Sequence, residues 1–168
     1  MTRAVVATAL MLLLSTSSAL AAESTWDVLE RFGLTGIWSV ACAAPTTVTN
    51  FRYIYSKDSN GRAVRELDFG VGQIVSTVVE SAELLSPSTL KIHIRSTNPR
   101  FEHLNNLVLE TVLMKAINSK TNEMRIRFIE ASDSAGQVLI KDGYIKSGSH
   151  TRVGKPTFWQ YKCRSAMS

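Results

Sequence analysis

The chain has 168 residues, 45% hydrophobic and 20% charged, with 19 Lys and Arg against 14 Asp and Glu for a formal net charge of +5. This composition is that of an ordinary folded domain and excludes disordered, collagenous and multi-span membrane classes. Two cysteines are too few for a disulfide-dense miniprotein or a Cys₄ zinc site.

The first element read along the chain is an export signal at 1–22. Arg3 supplies the positive start and 4–14 is a nearly unbroken apolar run. Small polar residues at 15–18 then lead into Ala19-Leu20-Ala21, an A-x-A cleavage site. The run is shorter than the roughly 20 apolar residues of a spanning helix, and no later stretch predicts a transmembrane span. Cleavage after Ala21 or Ala22 removes one base and no acid, leaving a single domain at 23–168. A periplasmic or secreted location follows, where Cys42 and Cys163 can oxidise.

A short helix comes next. Ser24 is its N-cap with Asp27 three residues on, Trp26, Leu29 and Phe32 share a face, and Gly33 stops it. From Gly36 the period becomes two. Strands are predicted at 36–42, 47–56, 62–69, 73–85, 89–96, 106–115, 123–130, 137–145 and 157–163. Phe51, Tyr53 and Tyr55 lie on one face of their strand, and 57–61 with its Asn-Gly is a turn. Gly70-Val71-Gly72 lacks the third glycine of a phosphate loop and predicts a bend or bulge. The run 73–85 also fits a helical face through Val75, Val78, Val79 and Ala82, but its β-branched content favours a strand. Leu90, Ile92 and Ile94 oppose Lys91, His93 and Arg95; Met124, Ile126 and Phe128 oppose Arg125 and Arg127.

Eight or nine strands with short connections and no crossover helix predict an all-β, antiparallel up-and-down barrel behind one short helix. Cys42 ends the first predicted strand and Cys163 the last. In such a barrel these strands meet at the closing seam, so a disulfide there would fasten the ring. Without C-x-x-C spacing or a helix N-terminus, a redox-active pair finds no support.

Gly36-Ile37-Trp38, just after a short helix, resembles the G-x-W signature of lipocalins. The resemblance implies an eight-stranded barrel plugged by Trp38, with a cation over its ring drawn from Arg152, Lys162 or Arg164. The family's T-D-Y segment is absent, with Asp142-Gly143-Tyr144 only a distant echo, and no C-terminal helix is recognisable. An early G-x-W-x-x-x-C and a late aromatic–Cys ending are also similar to small bacterial secreted proteins that carry no known activity. Bacterial periplasmic protease-inhibitor barrels likewise begin with a short segment and a G-x-W-like strand.

No catalytic constellation assembles. His93 reads as a surface residue, His103 and His150 as loop residues, and none has metal-ligand spacing. Glu66 and Asp68 share a strand face near Arg62 and Arg65, which balance them. No cofactor or metal is predicted, and export disfavours nucleic acid. Lys91, His93, Arg95, Arg125 and Arg127 form a cationic wall suited to an anionic envelope component, diluted by Glu110. The leading expectation is a small apolar or amphipathic ligand inside the barrel, lined by Phe51, Tyr53, Tyr55, Leu90, Ile92, Ile94, Ile126 and Phe128. The alternative is an interaction or protease-inhibitor barrel acting through 97–105, with Arg100, Phe101 and His103, and through 147–156.

Overall fold

The computed structural model describes residues 23–96, 107–148 and 151–164. The expected leader at 1–22 and the whole of the loop 97–105 lie outside them. Helix α1, Thr25–Phe32, begins with a reciprocal cap: the Asp27 N–H donates to Ser24 Oγ at 3.2 Å and the Ser24 N–H to the Asp27 carboxylate at 3.4 Å. Gly33, at φ 87°, ends it in the left-handed conformation open to glycine. Val28, Leu29 and Phe32 form its buried face, and Trp26 is half-buried beside them. No helix among the described residues is long and apolar enough to cross a membrane.

Ten strands follow: β1 Gly36–Ser39, β2 Arg52–Lys57, β3 Ala63–Asp68, β4 Ile74–Ser86, β5 Thr89–Ser96, β6 Val108–Ile117, β7 Met124–Asp133, β8 Val138–Lys141, β9 Tyr144–Ile145 and β10 Gln160–Cys163. They pair antiparallel in sequence order from β1 to β9, while β10 pairs with both β1 and β7. The sheet therefore closes as an eight-stranded barrel of β1–β7 and β10, with the β8–β9 hairpin continuing from the far part of β7. Closure satisfies the backbone groups that an open edge would leave unpaired.

Alternation sets the interior. Trp38, Tyr55, Leu90, Ile92, Ile94, Leu113 and Ile126 are fully buried. Helix α1 plugs one end: Lys115 Nζ of β6 donates to the Phe32 carbonyl at 2.8 Å, and Lys162 Nζ of β10 to the Gly33 carbonyl at 3.2 Å. The run 73–85, ambiguous by periodicity, is strand β4.

Four predicted strands are cut back or broken relative to their sequence pattern. One of them, 157–163, begins only at Gln160 because Thr157 is held by the Phe128 and Gly143 carbonyls instead of a strand ladder. The 36–42 strand stops at Ser39 and the 47–56 strand begins only at Arg52, because Asn50 captures the intervening chain. Its Oδ1 accepts from Ser39 Oγ and the Ala41 N–H, and its Nδ2 donates to the carbonyls of Ala41 and Pro45. The 137–145 strand is split by a two-residue turn at Asp142-Gly143, with φ of 54° and 76°, which makes it the β8–β9 hairpin.

Cys42 and Cys163 are bonded, with Cα atoms 5.3 Å apart and a sequence separation of 121. Cys163 lies opposite Ile37 in the β1–β10 ladder. Cys42 therefore reaches it not as the end of β1 but from the loop that turns back over the strand. Reducing this bond is expected to lower stability by roughly 4–5 kcal/mol, the chain-entropy value for so long a loop. Urea unfolding with and without reductant measures this; a loss under about 1 kcal/mol would show that strand pairing alone holds the seam.

Candidate functional site at the barrel mouth

All eight predicted lining residues belong to the packed interior or its open end, but they do two different jobs. Tyr55, Leu90, Ile92, Ile94 and Ile126 are fully buried and fill the barrel. Phe51, Tyr53 and Phe128 lie at the end opposite α1 and line an open cavity of about 170 Å³. Phe51 sits in the loop just before β2, and its ring meets Tyr53 edge-on at 5.3 Å. Tyr53 packs on Phe128 at 5.3 Å, joining β2 to β7 across the interior.

The other walls come from residues outside the predicted lining, although Arg152 falls in the 147–156 segment expected to act in the interaction reading. The β8–β9 hairpin contributes Ile140 and Ile145, and the segment entering β10 contributes Arg152, Thr157, Phe158 and Gln160. Thr157 pins that segment in place: its hydroxyl donates to the Phe128 carbonyl at 2.7 Å and its N–H to the Gly143 carbonyl at 2.8 Å. The Arg152 guanidinium stacks 3.5 Å from the Phe158 ring centroid and donates to the Pro156 carbonyl at 2.7 Å, while its Nε is buried without an acceptor. Gln160 is only 3% exposed, and its Oε1 has no donor. Gln160 was legible only as the polar residue interrupting an aromatic strand.

A rung of four buried polar residues crosses the interior. Tyr55, Arg65, Thr77 and Ser96 lie directly opposite one another on β2, β3, β4 and β5. Arg65 is 8% exposed; its Nε donates to Thr77 Oγ1 at 3.3 Å, and its guanidinium lies 5.4 Å from the Tyr53 ring centroid. Burial pushes the Tyr53 and Tyr55 phenols above their ordinary range, with Arg65 pulling partly the other way. The expectation that Arg65 and Arg62 balance Glu66 and Asp68 is thus corrected. Alternation turns Arg65 inward, and Arg62 pairs with Asp58 at 2.8 Å. Asp68 instead accepts the Gly70 N–H, and Glu66 accepts from Ser76 Oγ.

At the closed end Trp38 is fully buried, and its indole N–H donates to the Leu34 carbonyl at 2.6 Å. Lys162 is the cation over its ring, at 5.8 Å, whereas Arg152 covers Phe158. Partial burial lowers the Lys162 pKa from the ordinary lysine value. Gly36 has φ 98°, a conformation that a side chain would strain.

The cationic wall divides in two. On β5, Lys91 pairs with Glu83 and Glu110, His93 with Glu110 at 2.9 Å, and Arg95 with Glu80. On β7, Arg125 and Arg127 stack on Trp159 at 4.2 and 5.0 Å. His103 and His150 lie outside the described residues, among which no three His, Cys, Asp or Glu converge as metal ligands.

Comparison with family models, curated proteins and solved structures finds no match for this chain. Phe128→Ala removes a ring shared by core and mouth and is expected to cost about 3 kcal/mol, the lower end for a buried aromatic, since the cavity side is already open. Urea unfolding midpoints check this; a loss under about 1 kcal/mol would mean that the ring is not part of the core.

Proposed function

We propose that this is an exported binding protein whose barrel mouth holds one small apolar or aromatic molecule. The observation that carries the reading is the mouth cavity itself: four aromatic rings and two isoleucines around about 170 Å³, above a filled barrel. An apolar protein cavity of about 150 Å³ holds a benzene molecule, so the fit is to a single ring or a short chain rather than a long acyl tail. The leader pattern at 1–22 and the disulfide support export to an oxidising compartment. The Gly36-Ile37-Trp38 resemblance to lipocalins is in keeping with a ligand-binding barrel.

Titration of the oxidised protein with single-ring probes such as indole, followed by protein NMR, is expected to shift resonances of Tyr53, Phe128 and Ile140 first. Ile140→Trp, which fills the cavity, should abolish those shifts while circular dichroism stays that of the parent. Absence of any shift, together with only the bare protein mass in native mass spectrometry of material from its own envelope, would sink the reading.

A second reading, a barrel that docks a protein partner through its loops, is favoured by the tip between β3 and β4. Val71 is 94% exposed at φ 48°, between Gly70 and Gly72, which also have positive φ. A β-branched residue in that conformation is strained by roughly 1–3 kcal/mol. The turn rests on the preceding loop, since a β-carbon at Gly70 would run into the Thr46 carbonyl. Val48 and Ile74, exposed on that loop and at the start of β4, add to its apolar surface. Val71→Gly is expected to raise stability by about 1 kcal/mol without altering small-molecule binding. Unchanged or lower stability would remove the strain argument.

A further inference from the structure

We infer that the molecule held at the mouth is an organic anion, an aromatic or short aliphatic carboxylate, whose charge is met by Arg152 in the cavity wall and Arg65 beneath the Tyr53 ring. This rests on the mouth reading and narrows it. Among the described residues the cavity lining holds a guanidinium and no carboxylate. The six ion pairs among the described residues use Arg31, Arg62, Lys91, His93 and Arg95, so neither Arg152 nor Arg65 has an acidic partner there.

Arg65 is the stronger signal. A guanidinium has five N–H donors and keeps its charge in any protein. Here it is more than nine-tenths buried, with Thr77 Oγ1 as its side-chain acceptor. Taking an ion out of water without a counter-charge is strongly unfavourable, so a selected fold retains one where something supplies that charge. Tyr55 Oη on the same rung is within reach of the Arg65 guanidinium, and Ser96 Oγ is buried without a partner among the described residues. The Tyr53 ring is the shared wall: it lines the mouth on one side and carries Arg65 5.4 Å from its centroid. A turn of that ring brings a carboxylate from the apolar cavity to the guanidinium, where bidentate hydrogen bonding is available. Arg152, held on Phe158 with an unpaired Nε, meets the same charge at the rim.

The test compares benzoate with benzyl alcohol, ligands of one ring that differ in charge, by isothermal titration of the oxidised full protein at neutral pH. Benzoate should bind at least about ten-fold more tightly, the equivalent of one charge-assisted hydrogen bond. Arg65→Met and Arg152→Met should each reduce that preference, read as the ratio of benzoate to benzyl alcohol affinity in the same variant. Arg65→Met should keep or raise Tm, because it removes a desolvated charge while Thr77 Oγ1 still donates to the residue 65 carbonyl. Equal binding of the two ligands overturns the anion and leaves the mouth reading standing; binding of neither overturns both. An Arg65→Met protein with lower Tm and undiminished benzoate preference makes Arg65 purely structural and overturns its part in the proposal. If that variant does not fold, Arg152→Met decides: an undiminished benzoate preference there overturns the proposal.

Discussion

The four residues of β10 make this sheet a barrel. Gln160 and Tyr161 pair with β7, and Tyr161, Lys162 and Cys163 pair with β1, so one short strand joins the two ends of the meander. Without it, β1 and β7 would each leave a row of backbone groups unpaired. The strand also links the two ends of the interior. Lys162 reaches the closed end over Trp38, Gln160 faces the open end, and Cys163 holds the disulfide on the outside of the seam.

The barrel is packed unequally along its axis. Toward α1, Leu29, Phe32, Leu34 and Trp38 leave little space, and the cations Lys115 and Lys162 bond outward to helix-end carbonyls that would otherwise lack donors. Farther along, polar groups enter the interior as the rung of Tyr55, Arg65, Thr77 and Ser96, and at the mouth the apolar lining stops short of closing. The first arrangement stabilises. The second gives up stability by desolvating a charge and leaving the Ser96 hydroxyl unpaired among the described residues.

The features legible in the sequence are those governed by neighbours along the chain. Ser24 and Asp27 cap their helix because the bonds span three residues, and Leu90, Ile92 and Ile94 are buried because alternation on one strand needs no other information. The errors have local causes too. Asn50 spends its side chain on the loop and cuts two strands short. Asp142-Gly143, a hairpin signal plain in the residues, lies inside what reads as one alternating run. Arg65 looked like a surface charge beside Glu66 and Asp68, although the same alternation that buried the isoleucines places it inside.

By itself the chain determined its helix, the alternation of most strands, the barrel class and the pairing of its two cysteines, because period, caps and turn residues act over a few positions. Only the tertiary structure decided which interior residues are filler and which line a cavity. That distinction depends on what lies across the barrel. Phe158, Gln160 and Ile140 meet Phe51 and Tyr53 from far along the chain, and that Arg65 has no acidic partner among the described residues shows only when the strands facing it are in place.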